Sequence, residues 1–205
     1  PHDPLLAVDQ QYVYVPCAGD GFVVKVRLAD GAIVGRCAAG DGPSHLVAHP
    51  AGTRIYCANS WDGTLSCLSA DGVRLAQSFS GGWAHAIDIS PDGRWIYVAN
   101  FLDDTLAVFD AESLQRLRVL PTDPYPHGLD VAADGGTVAV AAFAGGSLRL
   151  YDAGAQHERA CLAVGAGASH TTFTGGSAFV ACSVAGHLAK IDCANAAVTA
   201  QISLH

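Results

Sequence analysis

Residues 85–120 read HAIDIS, PDGR, WIYVAN, FLDD, TLAVFD, AESLQ and RLRVL in unbroken succession. Short runs rich in Val, Ile, Leu and aromatic residues alternate here with turn-forming Pro, Asp, Gly and Ser, the pattern of an antiparallel four-stranded meander. Working outward, the same pattern recurs on both sides. Second strands return as YVYVPC, RIYCAN, WIYVAN, TVAVAA and AFVACS, and third strands as FVVKVRL, TLSCLS, TLAVFD, SLRLYD and HLAKID. The turns that precede the second strands return as Val8-Asp9-Gln10, Pro50-Ala51-Gly52, Pro91-Asp92-Gly93, Asp134-Gly135-Gly136 and Gly175-Gly176.

The 205 residues therefore divide into five pieces, 1–42, 43–82, 83–125, 126–167 and 168–205. A repeat of about 40 residues with four strands is the arithmetic of a β-propeller, whose sheets pack face to face around an axis. The expected fold is all-β: a single-domain, five-bladed β-propeller of four-stranded antiparallel blades. Near-continuous apolar strands fit blades covered on both faces. The first piece begins on an inner strand and the last ends on a fourth strand, AVTAQISLH, so the ring is expected to close within the chain.

Composition narrows the function classes. Half the residues are hydrophobic and 15% charged, with 23 Gly and 9 Pro, which excludes disorder and coiled coil. The net charge of −8, with Lys25 and Lys190 the sole lysines, argues against nucleic acid as a partner. No apolar run approaches the roughly 20 residues of a membrane helix, so no membrane partner is expected. Seven Cys without a C-x-x-C pair support neither a complete disulfide framework nor a zinc ribbon. Phosphate-loop, G-x-S-x-G and H-E-x-x-H patterns do not occur.

The stretches SPDGRWIYVANFLDDTLAVFD (90–110) and HPAGTRIYCANSWDGTLSCLS (49–69) resemble the YVTN-type propeller repeat and the related repeats of lactonase-like propellers. The resemblance runs through the whole chain and implies a fold more firmly than an activity. Those families commonly carry seven blades.

Five histidines share one column of the repeat: His2, His45, His85, His127 and His170. Each stands where the link from one blade enters the innermost strand of the next, so a closed ring would gather them at one mouth of the axial channel. Neutral imidazoles suit Cu, Fe, Ni and Zn, whereas Mg and Ca prefer oxygen. The expected cofactor is a transition metal, Cu or Fe before Zn, with a position left open for a small molecule. A second tier at the same face comprises Cys17, Cys182, Asn59, Asn100, Trp61 and His187, with Phe101 and Leu102 beside them, and ring closure would bring Cys17 and Cys182 together. Asp3, Asp88 and Asp130 are the nearby carboxylates that could orient a ligand His. Cys37, Cys57, Cys67, Cys161 and Cys193 read as core filling, and His49 and His157 as solvated.

A bland reading competes. In WD-type propellers a His in this position is structural and bonds to a turn Asp, a role open here to Asp20, Asp62 and Asp103 or Asp104. The expected function is a metal-binding propeller, redox in character, acting on a small-molecule substrate. The alternatives are a carrier with a metal donor or acceptor as partner, a lactonase- or lyase-like enzyme, and a scaffold that binds a protein partner on the His face.

Overall fold

The structure, a computed structural model, describes residues 3–155 and 157–204. Twenty strands form five four-stranded sheets, and in each the strands lie in chain order with antiparallel neighbours. Blade 1 holds β1 (Leu5–Leu6), β2 (Tyr12–Cys17), β3 (Phe22–Arg27) and β4 (Ile33–Ala38). Blade 2 holds β5 (Pro43–Ala48), β6 (Arg54–Asn59), β7 (Thr64–Ser69) and β8 (Arg74–Phe79). Blade 3 holds β9 (Ala84–Ile89), β10 (Trp95–Asn100), β11 (Thr105–Asp110) and β12 (Arg116–Pro121). Blade 4 holds β13 (Pro126–Val131), β14 (Thr137–Ala142), β15 (Ser147–Asp152) and β16 (Glu158–Ala163). Blade 5 holds β17 (Ala168–Thr174), β18 (Ser177–Cys182), β19 (His187–Asp192) and β20 (Ala197–Ser203). The five-bladed, all-β expectation holds, and among the described residues the only helical pieces are 3₁₀ turns.

The turns follow their residues. Pro91-Asp92-Gly93 closes β9 onto β10 with Gly93 at φ 74°, a left-handed conformation that glycine adopts without a Cβ clash. Ser90 Oγ accepts the N–H groups of Arg94 and Trp95, which fixes the register of the hairpin.

The core lies between the blades. Tyr56 and Leu65 of blade 2 meet Ile96 and Phe109 of blade 3, and Tyr97 and Val108 of blade 3 meet Val138 and Tyr151 of blade 4. Equivalent clusters join blades 1 and 2 and blades 4 and 5. The tyrosine of the second-strand motif adds a polar latch at three of these junctions. The hydroxyls of Tyr14 and Tyr56 donate to the carbonyls of Ala70 and Ala111 in the next blade's outer turn, at 3.1 and 2.9 Å. Tyr97 accepts the N–H of Gly154 at 3.2 Å. Ala139 and Phe179 occupy this place in blades 4 and 5 and have no hydroxyl.

The expected closure does not occur among the described residues. No hydrophobic cluster joins blade 5 to blade 1, and β17 does not pack on β1 as β5 packs on β9 or β13 on β17. Burial records the same thing. β6, β10 and β14 are buried almost throughout, whereas β2, β18 and β19 alternate between covered and half-covered residues because one face of each terminal blade has no neighbour. The five blades form an open arc. Counting repeats yields the number of blades but not the angle between them, which the side chains at each junction set.

Candidate functional site

Each inner strand of blades 2 to 5 carries a register shift near its start, at Pro43/His45, opposite Val98/Asn100, at Pro126/Gly128 and at Ala168/Thr171. A bulge adds one residue to a strand and re-aims the neighbouring side chain. The column histidines sit in or beside these bulges, so four consecutive blades present an imidazole at the same place. Ring centroids are 4.4 Å apart for His45 and His85, 4.6 Å for His85 and His127, and 5.1 Å for His127 and His170. His45, His85 and His127 are half-buried and His170, at the open edge of the arc, is exposed. His2 lies outside the described residues. Among the described residues no three His, Cys, Asp or Glu side chains are already arranged around one ion position.

Carboxylates hold the loops that lead into these strands. Asp62 accepts the Asp41 N–H at 2.9 Å, Asp103 the Gly82 N–H at 2.6 Å and Asp104 the Tyr125 N–H at 2.8 Å. The turn aspartates thus fasten backbone between blades. Deeper in the inner strands, Asp88 accepts the N–H groups of Ile89 and of Val131 in the next blade, both at 2.8 Å. Asp130 accepts those of Val131 and of Phe173 in the blade after it. Burial pushes the Asp88 carboxyl up to about 7, the adjacent Asp130 charge adding to the effect, and burial raises Asp130 too.

The second tier is scattered. Asn59 is fully buried and donates to Thr64 and Ser66, both at 2.9 Å. Asn100 is equally buried, accepts from Ser80 Oγ at 2.7 Å and donates to Thr105 at 3.1 Å. Both pin the hairpin at the end of the second strand, a place where a short amide reaches the hydroxyl five residues on. They stand inside the blades, not on the face. Trp61 is on the face, 59% exposed, with its indole over Gly42, where a Cβ would lie 2.5 Å from the ring. His187 Nε2 is 2.8 Å from the Val164 carbonyl oxygen, packed between blades 4 and 5.

Cys17 is half-buried and Cys182 buried, both are free thiols, and the open arc keeps blades 1 and 5 from bringing them together. Burial raises the Cys182 thiol. The core-filling expectation holds for Cys37, Cys57, Cys67 and Cys193. Cys161 departs from it: exposed on an outer strand, it donates to Asp123 at 3.3 Å. His157 is exposed beside Asp152, at 3.0 Å.

Sequence reading placed Phe101 at this face but missed the aromatic cluster it forms next to the imidazoles. Phe101 and Phe143 follow the second strands of blades 3 and 4, and Trp83 and Tyr125 precede their inner strands. Phe101 lies 6.1 Å from His85 and 6.0 Å from His127 by ring centroid, and Phe143 lies 6.2 Å from His127. Tyr125 stacks on Phe101 at 4.8 Å with 11° between the planes. The available signal was positional: aligned on the start of the inner strand, Trp83 and Tyr125 replace Gly42 and Gly167.

Comparison with known proteins now places this arrangement. Among solved structures, a chain titled "Kuenenia stuttgartiensis Hydrazine Synthase" superimposes with a TM-score of 0.88 at 19% identity, over 100% of this chain and 66% of that one. That likeness is one of fold, and the chain spans 66% of the length of the protein it matches. The curated proteins give no match. The family described as "Lactonase, 7-bladed beta-propeller" matches residues 1–159, which takes in blades 1 to 3 and nearly all of blade 4 with the histidine column from His2 to His127. By its four-stranded repeats and by that match, the chain belongs to the seven-bladed lactonase β-propeller family.

Proposed function

We propose that the His face binds one transition-metal ion, copper or iron before zinc, and that a small molecule is acted on beside it. The observation that carries this reading is spacing. Two imidazoles that ligate one ion at adjacent positions, each nitrogen about 2.0–2.1 Å from it, bring their ring centroids to about 4.5–5 Å. The neighbouring rings here are 4.4 to 5.1 Å apart. His85 and His127, in the middle of the arc, supply the central pair, and His45 or His170 completes the set by rotation of its side chain. Such a set uses neutral rings only and leaves sites open for substrate or, in a carrier, for exchange with a metal donor or acceptor.

A second reading is metal-free hydrolysis of the kind the family description names, with an imidazole as general base for water attacking a lactone carbonyl. It is favoured by the lack, among the described residues, of three ligands already turned to one point. The test loads the purified protein with Cu(II), Fe(II) or Zn(II), removes excess ion and measures metal per chain in wild type and in His85→Ala/His127→Ala. One ion per chain, lost in the double variant, supports metal binding. A wild type that retains none of the three, yet opens a lactone ring in an imidazole-dependent way, replaces it with the second reading.

A further inference from the structure

We infer that blades 3 and 4 present a stacking site for a flat heteroaromatic ring, built from Tyr125 and Phe101 beside His85 and His127. Backbone conformation carries the argument first. The residue before each inner strand has positive φ in blades 2 to 5: Gly42 at 68°, Trp83 at 57°, Tyr125 at 61° and Gly167 at 74°. Glycine takes this conformation freely, whereas a bulky side chain is strained there. Blades 3 and 4 accept that strain and still leave the side chains partly exposed, Trp83 at 39% and Tyr125 at 43%. Rings kept at such a cost without being buried point to a role other than packing, and strain of this kind gathers at ligand sites.

The surroundings specify the ligand. Blades 2 and 5 combine glycine with an added serine and a second serine across the loop, Ser44 with Ser60 and Ser169 with Ser183. Their hydroxyls are spent within the fold: Ser44 and Ser60 bond each other at 2.8 Å, and Ser169 and Ser183 donate to the Ala181 and Gly167 carbonyls. Blades 3 and 4 lack the added serine and put Phe101 and Phe143 in place of Ser60 and Ser183. The aromatic sector therefore offers π-faces with little to hydrogen-bond a sugar, and its polar edge is imidazole. Phe101 lies about equally far from His85 and His127, and Tyr125 covers it in parallel, so the stack runs from the imidazoles outward to the exposed Tyr125 face. An aromatic ring extends such a stack in the offset geometry that aromatic pairs prefer.

This inference does not require a bound ion, so its test uses protein stripped with a chelator. Riboflavin is the probe, with cellobiose as the sugar comparison. Riboflavin is titrated into wild type, Tyr125→Gly and Phe101→Ala, flavin fluorescence is followed, and melting temperatures are recorded. Saturable binding to wild type is expected, weakened at least fivefold by either substitution, with Tyr125→Gly melting at or above wild type because the strain at that residue is relieved. Ile33→Ala, exposed on the outer strand of blade 1, should bind like wild type. The inference is overturned if riboflavin does not saturate, if cellobiose binds in its place, if either variant binds like wild type, or if Tyr125→Gly melts below it. None of these outcomes alters the metal content that tests the preceding proposal.

Discussion

Asp88, on the inner strand of the third blade, accepts the backbone N–H of Val131 on the inner strand of the fourth at 2.8 Å, so one buried carboxyl bridges two sheets that share no ladder. Asp130 repeats the bridge one blade on, to Phe173.

A pH dependence follows from that bridge. With its pKa raised to about 7 in the fold, Asp88 holds its proton more tightly folded than unfolded. Its contribution to stability is therefore fully present below the ordinary carboxylate range near 4 and is lost as pH rises through about 7. Asp88→Asn, which keeps an acceptor for Val131 and cannot ionise, should flatten this part of the profile and melt no lower than wild type at pH 8. Denaturant midpoints from pH 5 to 8 check it, and an unchanged slope in the variant would refute it.

Metal binding and stability should separate at the bulge. His85→Ala is expected to reduce bound copper markedly while shifting stability by no more than about 1 kcal/mol, since the residue stands at the start of a strand and half in solvent. A His serving the fold gives the opposite result, with melting temperature falling and metal content unchanged. Because ligation uses neutral rings, copper occupancy should decline below pH of about 6.5.

The tyrosine latches should contribute independently. Tyr56→Phe leaves the Ala111 carbonyl with the Arg54 guanidinium alone, at 3.4 Å, at a cost of about 1 kcal/mol, and Tyr97→Phe leaves the Gly154 N–H without its acceptor, at a cost of about 1–2 kcal/mol. The two residues belong to different inter-blade clusters, so the double variant should lose about the sum. Urea unfolding of the three variants would show it.

Asp123 anchors the loop ahead of blade 4. It accepts from Ser147, from Arg149 at 2.8 and 3.2 Å and from Cys161 at 3.3 Å. The Arg149 guanidinium, which also pairs with Glu158, and the other donors hold its carboxyl down at about 2. Asp123→Ala should destabilise by about 1–3 kcal/mol at pH 7, near the lower end because the pair is partly solvated. The loss should shrink as pH falls through the ordinary carboxylate range toward about 2, where wild type loses the same bonds. Equal destabilisation at pH 7 and pH 2.5 would show that the bonds, not the charge, matter.

The sequence by itself determined the local order of this protein. Short, near-continuously apolar strands, Pro-Asp-Gly-type turns and a repeat of about 40 residues specify a four-stranded blade, because the strand and turn signals act within a few residues and the repeat returns them in register. The histidine column was legible for the same reason: a residue that returns at the same place in each repeat returns at the same place in each blade. Tertiary structure alone decided whether the arc closes, since the angle between blades comes from how Tyr56 meets Phe109 or Tyr97 meets Tyr151 across sheets. It also decided that Asn59 and Asn100 turn inward to nearby hydroxyls while Trp61 remains on the face. The influence of the Asp130 charge on the buried Asp88, 42 residues away in the chain, was likewise invisible in sequence. Distance through space and loss of water set that pairing, and a linear pattern encodes neither.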